Sequence, residues 1–475
     1  MMPAIHSDTV NHICIDVGGS EQEASPLALT CVEILRSRGI EVSVLALATP
    51  LAQPTASGCI LSGPLSPSKT REVGDSIAQI AQDGMPTVLY LPPFVGKASG
   101  QDRHAACVAL LRSRGAVVTS DPEVWVECAI LLSAYGSPTG PQIAIVAPPS
   151  SWLSAAALGQ AQRANRQGQR FSPLFYDHDS PALTDIVLTD VELFRSSSET
   201  SHSQLVLPVS GKAERIHDKP VLVGLANALR AAELCGHAAA RISSGIGPAS
   251  SPPVPPLSPD IDRARYTSQE SKLRDAASDH ECKVLLSSYG VSITRQAVAT
   301  TPSAATRIAK KAGYPVEMKG WGANQPTEAD GAMVISGIAT ASEVRRAFAS
   351  VCAECDCDAV IIRATPMSGR ELRFAVRSMG ALGLVAFLYQ PGRSSPAAAL
   401  APLRPIDALA MSKQVVASRD GDDDPDWQSL SELLIRASHL VSDNPRVRSL
   451  ELSRVVVGRS GEGALVIDAR AELQS

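Results

Sequence analysis

Three short stretches bring together side chains able to do chemistry. Cys352-x-x-Cys355-x-Cys357 sets three thiols within six residues. Three thiolates hold zinc when a fourth ligand completes a tetrahedron. This run passes from a helical pattern into a strand pattern, and only carboxylates lie nearby as a fourth ligand, so reduced thiols suit it better. Tyr176-Asp177-His178-Asp179 offers oxygen and imidazole ligands in sequence. Alone in a loop, such a run more readily forms an Asx turn. Val17-Gly18-Gly19-Ser20 follows a β-branched run, where backbone N–H groups either cradle a phosphate or open a helix. The helix start is the simpler reading. The chain has no Gly-x-Ser-x-Gly elbow, no Walker loop and no His-Glu-x-x-His. The acidic run Asp420–Asp426 reads as a solvated loop before the last helix.

The elements around these residues must come from an ordinary globular composition. The chain has 475 residues, enough for two to four domains at about 100–200 residues each. Hydrophobic residues make up 44% and charged residues 19%, which excludes a disordered chain. Aromatics are only 4%, so the core must rest on Ala, Leu, Val and Ile. Lys and Arg number 43 against 48 Asp and Glu, a net charge of −5. That balance argues against a nucleic-acid-binding face. No apolar run approaches about 18 residues, so no membrane helix is expected. The opening MMPAIHSDTVNH has no basic stretch followed by an apolar one, so no export signal is expected. The ten scattered cysteines then read as reduced thiols of a cytoplasmic protein.

Ser243–Pro259 (SSGIGPASSPPVPPLSP) carries six prolines and reads as a stiff linker, spanning about residues 243–260. Before it, β-branched runs alternate with helical segments. Strands are expected at His12–Val17, Ile40–Ala48, Thr87–Leu91, Ala116–Ser120, Gln142–Ala147, Asp185–Thr189, Leu205–Val209 and Pro220–Gly224. Arg-Ser-Arg-Gly occurs at 36–39 and at 112–115, each time closing a helix. Arginine suits a helix C-terminus and glycine the left-handed cap. This rhythm predicts parallel sheets with helices on both faces. The break at Ser133–Gly140 divides them into subdomains at 9–135 and 140–242. After the linker, helices are expected at Gln269–Ser288, Pro302–Ala312, Ala341–Cys352 and Leu430–Val441, and strands at Val291–Thr300, Pro315–Lys319, Ala332–Ile338, Ala359–Thr365, Glu371–Arg377, Gly383–Leu388, Ser449–Val457 and Ala464–Asp468, several of them following one another without a helix between. Residues 265–475 therefore read as α+β.

Residues 283–319, KVLLSSYGVSITRQAVATTPSAATRIAKKAGYPVEMK, resemble the opening of the ATP-grasp domain in nucleoside-diphosphate-forming (ADP-forming) acyl-CoA synthetases, the acetate–CoA ligase family. Later pieces follow in family order. These are VIIRATPMSGRELRFA at 360–375, LAPL at 400–403, LIRASHLVSDNPRVRSLELSRVVV at 434–457 and VIDAR at 466–470. Residues 86–134 and the stretch after them resemble succinyl-CoA-synthetase-like flavodoxin subdomains. The resemblance implies an α/β chain with two flavodoxin-like parallel-sheet subdomains followed by an α+β ATP-grasp domain. No glycine-rich turn of the family's CoA-binding domain precedes His12, so that domain is not expected here. The implied chemistry is carboxylate, ATP and CoA giving acyl-CoA, ADP and phosphate through an acyl phosphate and a phosphohistidine. ATP and Mg²⁺ are the implied cofactors, with Lys319 and Glu371 on the nucleotide and Glu451 on the metal. CoA is expected only with a partner chain, and the expected partners are a CoA-binding subunit or a second copy of this chain.

Against that pattern the sequence departs at several positions. Thr327-Glu328 stand where the family has His-Lys, and an acid repels phosphates. Ala364 takes the place of the hinge glutamate, and Ala399 that of an arginine. Leu450-Glu451-Leu452-Ser453-Arg454 replaces Leu-Asp-x-Asn-Pro, leaving Glu451 as the carboxylate for a metal. The phosphohistidine loop is PPFVGKASGQD, with Phe94 or Gly96 at the histidine position and His104 inside the next helix. Neither Phe nor Gly carries a phosphoryl group. The expectation is a degenerate synthetase homologue, non-catalytic on its own, with a residual nucleotide site and no catalytic residue. The alternative is an acid–thiol ligase or a subunit of one.

Overall fold

The computed structural model describes residues 12–16, 26–45, 56–60, 65–82, 86–166, 174–176, 184–196, 204–244, 276–277, 279–322, 331–393, 395–415 and 425–473. Val17–Ser20, residues 177–179, Thr327-Glu328 and most of the expected linker lie outside them. The chain divides into two units, Met1–Gly96 with Leu110–Pro252, and Lys97–Ala109 with Pro253–Ser475.

The first unit holds two parallel five-stranded sheets. One comprises β1 (His12–Asp16), β2 (Glu41–Leu45), β3 (Ala56–Ile60), β4 (Thr87–Tyr90) and β5 (Ala116–Thr119), in the order β2-β1-β3-β4-β5. Its connections include α1 (Pro26–Ser37) and α2 (Pro67–Ala81); the chain between β4 and β5 contains α3 (Ala98–Ser113), most of which belongs to the second unit, and α4 (Pro122–Ile130) follows β5. The other is built from β6 (Ile143–Val146), β7 (Leu174–Tyr176), β8 (Ile186–Asp190), β9 (Leu205–Ser210) and, after the hairpin β10 (Arg215–Ile216) and β11 (Lys219–Pro220), β12 (Leu222–Val223). Its order is β12-β9-β8-β6-β7, so in both sheets the first strand lies between the second and the third. Helices α5 (Trp152–Arg166), α6 (Val191–Ser196) and α7 (Leu225–Ser243) complete it.

Both Arg-Ser-Arg-Gly turns end helices as the sequence predicts, with Gly39 at φ +77° and Gly115 at φ +93°. One apolar cluster runs from α1 and α4 to α7, with Trp125 fully buried inside it. A buried ion pair crosses the same region. Arg38 at the end of α1 donates to Glu127 of α4 at 2.6 Å and to the Val221 carbonyl. Glu127 also accepts the Val223 N–H at 3.1 Å.

The second unit has two antiparallel sheets. The six-stranded one comprises β13 (Ala276–Ala277), β18 (Arg370–Ser378), β19 (Leu384–Tyr389), β20 (Ala397–Leu400), β21 (Val447–Val457) and β22 (Ala464–Leu473). Its order is β13-β22-β21-β18-β19-β20. One of its faces packs on α8 (Asp279–Ser288), α11 (Pro405–Val415) and α12 (Trp427–Asp443). The four-stranded sheet, β14-β17-β15-β16, consists of β14 (Gln296–Ala299), β15 (Val316–Gly320), β16 (Val334–Ile338) and β17 (Val360–Ala364). It packs on α9 (Pro302–Ala312) and α10 (Ala341–Cys355). Both helices start as their sequences require: Thr301 caps α9 ahead of a proline, and Thr340 with Glu343 forms a capping box on α10.

The expected helix at Gln269–Ser288 is shorter: it starts at Asp279, and Ala276–Ala277 are a strand paired with Glu472 and Ala471. The strands Ala56–Ile60, Leu174–Tyr176 and Ala397–Leu400 and the helix Pro405–Val415 are additions to the sequence reading. Ala-Ser-Gly-Cys-Ile and Ala-Ala-Ala-Leu are poor in β-branched residues, so their strand state comes from neighbouring strands and not from propensity.

Candidate functional site

Strand alternation sorts the residues of β15 onto two faces. Val316 and Met318 enter the apolar cluster under α9 and α10, as do Val360 and Ile362 of β17. Glu317 and Lys319 therefore share the opposite face, beside Arg363 and Ile361 in register. That face meets the polar side of the six-stranded sheet, where β21 and β22 bring Ser453, Arg454, Ile467 and Asp468. Here β21 is irregular between Glu451 and Val455. Between the two sheets lies a layer of charged side chains, most of them buried.

Lys319 is only 5% exposed and its ammonium forms an ion pair with Asp468, which is 1% exposed. The second oxygen of Asp468 accepts the Ser453 hydroxyl. Arg363 gives two N–H groups to one oxygen of Glu317, at 2.8 and 2.6 Å, and a third to the Ile467 carbonyl at 2.8 Å. Arg454 lies 3.9 Å from the same Glu317 oxygen and donates twice to Glu371, at 3.0 and 2.6 Å. Three cations and three carboxylates thus balance one another in this layer.

A second buried cation sits behind it. Lys283 of α8 donates to Asp279, to Thr294 at 3.1 Å, to Gln296 at 2.6 Å and to the Ile467 carbonyl. Burial, opposed by Asp279, brings its pKa down to about 8. Asp279 is held in turn by the Ala469 N–H and the Gln296 amide.

Lys319 pairs with Asp468, while Glu371 joins the layer through Arg454, which also approaches Glu317. Glu451 stands apart, paired with Arg373 at 2.6 Å, while Arg373 lies over the Tyr389 ring at 5.2 Å. Lys319 is not the exposed strand-end lysine that its position allows. Ala399 packs into the apolar cluster beneath the sheet, on the face away from the charged layer. In the first unit, the Phe94 ring lies against Gly96, where an added Cβ would come within 2.7 Å of it. His104 lies in the second turn of α3, and burial lowers its pKa. Among the described residues, no group of three or more His, Cys, Asp or Glu is disposed to hold a metal ion. No described helix is long and apolar enough to cross a membrane.

Sequence reasoning missed Glu317, Arg363, Asp468, Asp279 and Lys283. For Glu317, Arg363 and Asp468 the signal was present, since these charges sit inside apolar runs, as in Pro-Val-Glu-Met-Lys and Val-Ile-Asp-Ala-Arg; Asp279, in Ser-Asp-His-Glu, carried none. Charges in such runs are buried and therefore paired.

Residues 268–473 match the ATP-grasp domain family. The chain is similar to the β subunit of ADP-forming acetate–CoA ligase II of Pyrococcus furiosus. It is 25% identical over 219 residues, covering 42% of this chain and 93% of that subunit. It is also 26% identical over 212 residues to the ADP-forming 4-hydroxybutyrate–CoA ligase of Nitrosopumilus maritimus, covering 41% of this chain but only 30% of that enzyme. Among solved structures, an acetyl-coenzyme A synthetase of Candidatus Korarchaeum cryptofilum, in complex with coenzyme A and a nucleotide analogue, aligns with 45% of this chain and 99% of its own. Its TM-score is 0.40 and its identity 20%.

Proposed function

We propose that this chain is a degenerate homologue of the ADP-forming acyl-CoA synthetases and does not make acyl-CoA on its own. The observation carrying this reading is the charge balance around Lys319. A polyphosphate needs a cation to spare. Here the ammonium is spent on Asp468, and the neighbouring guanidinium groups on Glu317 and Glu371. Transferring Lys319 to a phosphate would leave Asp468 buried without its lysine and next to further negative charge, which costs several kcal/mol. Magnesium fits no better. The Ser453 hydroxyl is given to Asp468, Arg454 brings a cation to the strand, and Glu451 faces Arg373. A residual nucleotide site at Lys319 and Glu371, and a metal contact at Glu451, would each have to displace one of these partners.

The strand order second-first-third-fourth-fifth in both parallel sheets supports reading 9–135 and 140–242 as flavodoxin-like subdomains. With a linker at 243–260 and an ATP-grasp domain at 265–475, the chain would be a cytoplasmic scaffold. A second reading, a subunit of a two-chain ligase, is favoured by one observation: the match covers 93% of a β subunit. In that case a CoA-binding partner chain would supply CoA and the phosphohistidine.

Calorimetric titration with ATP and Mg²⁺, alongside ADP release with acetate, propionate or aryl acids plus CoA, tests the proposal. The expected result is neither micromolar binding nor turnover. CoA-dependent ADP release by this chain alone would overturn it. Micromolar binding that disappears in Lys319→Ala would establish a retained nucleotide site.

A further inference from the structure

The cysteines of the 352–357 run play no part in the charged layer. Helix α10 ends in a left-handed turn, with Asp356 at φ +47°. Its N–H and that of Cys357, the latter at 3.2 Å, both reach the carbonyl of Cys352. Aspartate tolerates this conformation better than most residues. The turn folds the chain back so that the residue after it lies over the last turn of the helix. Those two positions are Cys357 and Cys352. Cys357 Sγ lies 3.9 Å from the Val351 carbonyl, and its thiol is close enough to help raise the pKa of Cys352. Cys355 has the backbone of Gly320 beside it as well as Cys357. All three are partly exposed, whereas Cys31, Cys107, Cys128, Cys235 and Cys282 are buried.

We propose that Cys352 and Cys357 form a dithiol–disulfide pair that exchanges with small disulfides of the glutathione type. The thiolate of one cysteine attacks a sulfur of the small disulfide, whose S–S bond breaks and releases one small thiol. The second cysteine attacks the protein sulfur of the mixed disulfide. A Cys352–Cys357 bond forms and the second small thiol leaves. The protein pair gives up two electrons and two protons, and the small disulfide takes both. The cap geometry favours closure because it brings the two residues together before any bond exists. Burial and the neighbouring thiol raise the pKa of Cys352, which makes the first attack slow at neutral pH.

The test is to equilibrate the full chain with mixtures of oxidised and reduced glutathione, quench with a maleimide and map the peptides. The expected product is an internal Cys352–Cys357 disulfide, two hydrogens lighter, with Cys355 alkylated throughout. Cys355→Ser should oxidise as the wild type does. Cys357→Ser should stop at a mixed disulfide on Cys352. Alkylation of Cys352 and Cys357 at every ratio, a Cys352–Cys355 bond, or stable mixed disulfides in the wild type would each overturn the assignment.

Discussion

Asp468→Asn should unbalance the charged layer in a way that can be read twice. The amide keeps the shape of the carboxylate and leaves an oxygen for the Ser453 hydroxyl. It removes the counter-charge from an ammonium that is 5% exposed. Removing one partner of a buried pair costs about 3–5 kcal/mol, most of it from the charge left behind. Replacing both, as in Lys319→Met with Asp468→Asn, leaves no charge and loses only hydrogen bonds, each worth about 1 kcal/mol. The double variant should therefore be more stable than Asp468→Asn alone, with a coupling of about 2–4 kcal/mol. Global melting would mix the two units. Hydrogen exchange on peptides covering Val316–Gly320 and Ala464–Leu473 isolates the effect. The single variant also leaves the layer with three cations and two carboxylates, so its ATP affinity should exceed that of the wild type in calorimetry. A loss below about 1 kcal/mol in the single variant, or a double variant no better than the sum of the singles, would refute the buried-pair reasoning.

Lys283 predicts a particular alkaline profile. Folding lowers its pKa from 10.5 to about 8. Between these values the unfolded chain holds a proton that the folded chain has released, so stability rises with pH across the window. At about 1.4 kcal/mol per pH unit the gain has a ceiling of about 3 kcal/mol. Cys282 beside it works the other way: burial pushes its thiol up, so above about pH 9 the unfolded chain releases a proton that the folded chain keeps, and stability falls. The Lys283 contribution is therefore read as a difference: in urea titrations from pH 7 to 10.5, Lys283→Met should lose a stability gain that the wild type makes above about pH 8; the same pH profile in both proteins would contradict the assignment. In the first unit, Arg38→Met should cost about 3–5 kcal/mol by stranding Glu127, and adding Glu127→Gln should recover part of that. Trp125 fluorescence reports that unit, and a neutral Arg38→Met would mean that the pair is solvated.

The sequence made some levels of this structure legible and hid others. Helix ends were plain where their signals are local: both Arg-Ser-Arg-Gly closures stand where they were read. The antiparallel succession after residue 359 was equally open, because its strands are rich in Val, Ile, Leu and Phe. Ala56–Ile60 and Ala397–Leu400 were not, since strands of small residues take their state from partners distant in sequence. The site was half visible. Lys319 and Glu371 could be picked by type and position, but pairing is a tertiary fact. Asp468 lies 149 residues from Lys319 and Arg363 lies 46 from Glu317.

That pairing changes what the presence of Lys319 means. A lysine where a nucleotide-binding lysine belongs suggests a working site only while its charge is available. Here Asp468 requires a cation for its own sake, because a fully buried carboxylate without one is unstable. Each residue of the pair makes any single replacement of the other costly, so both are held by folding alone. The same holds for Glu317 with Arg363. Ala364 and Ala399 are under no such constraint, since neither carries a charge that a neighbour must neutralise. Charged residues locked in mutual pairs would thus outlast a lost activity, while solitary functional side chains would not. On the proposed reading, the Lys319–Asp468 pair is therefore held by folding and needs no nucleotide to account for it.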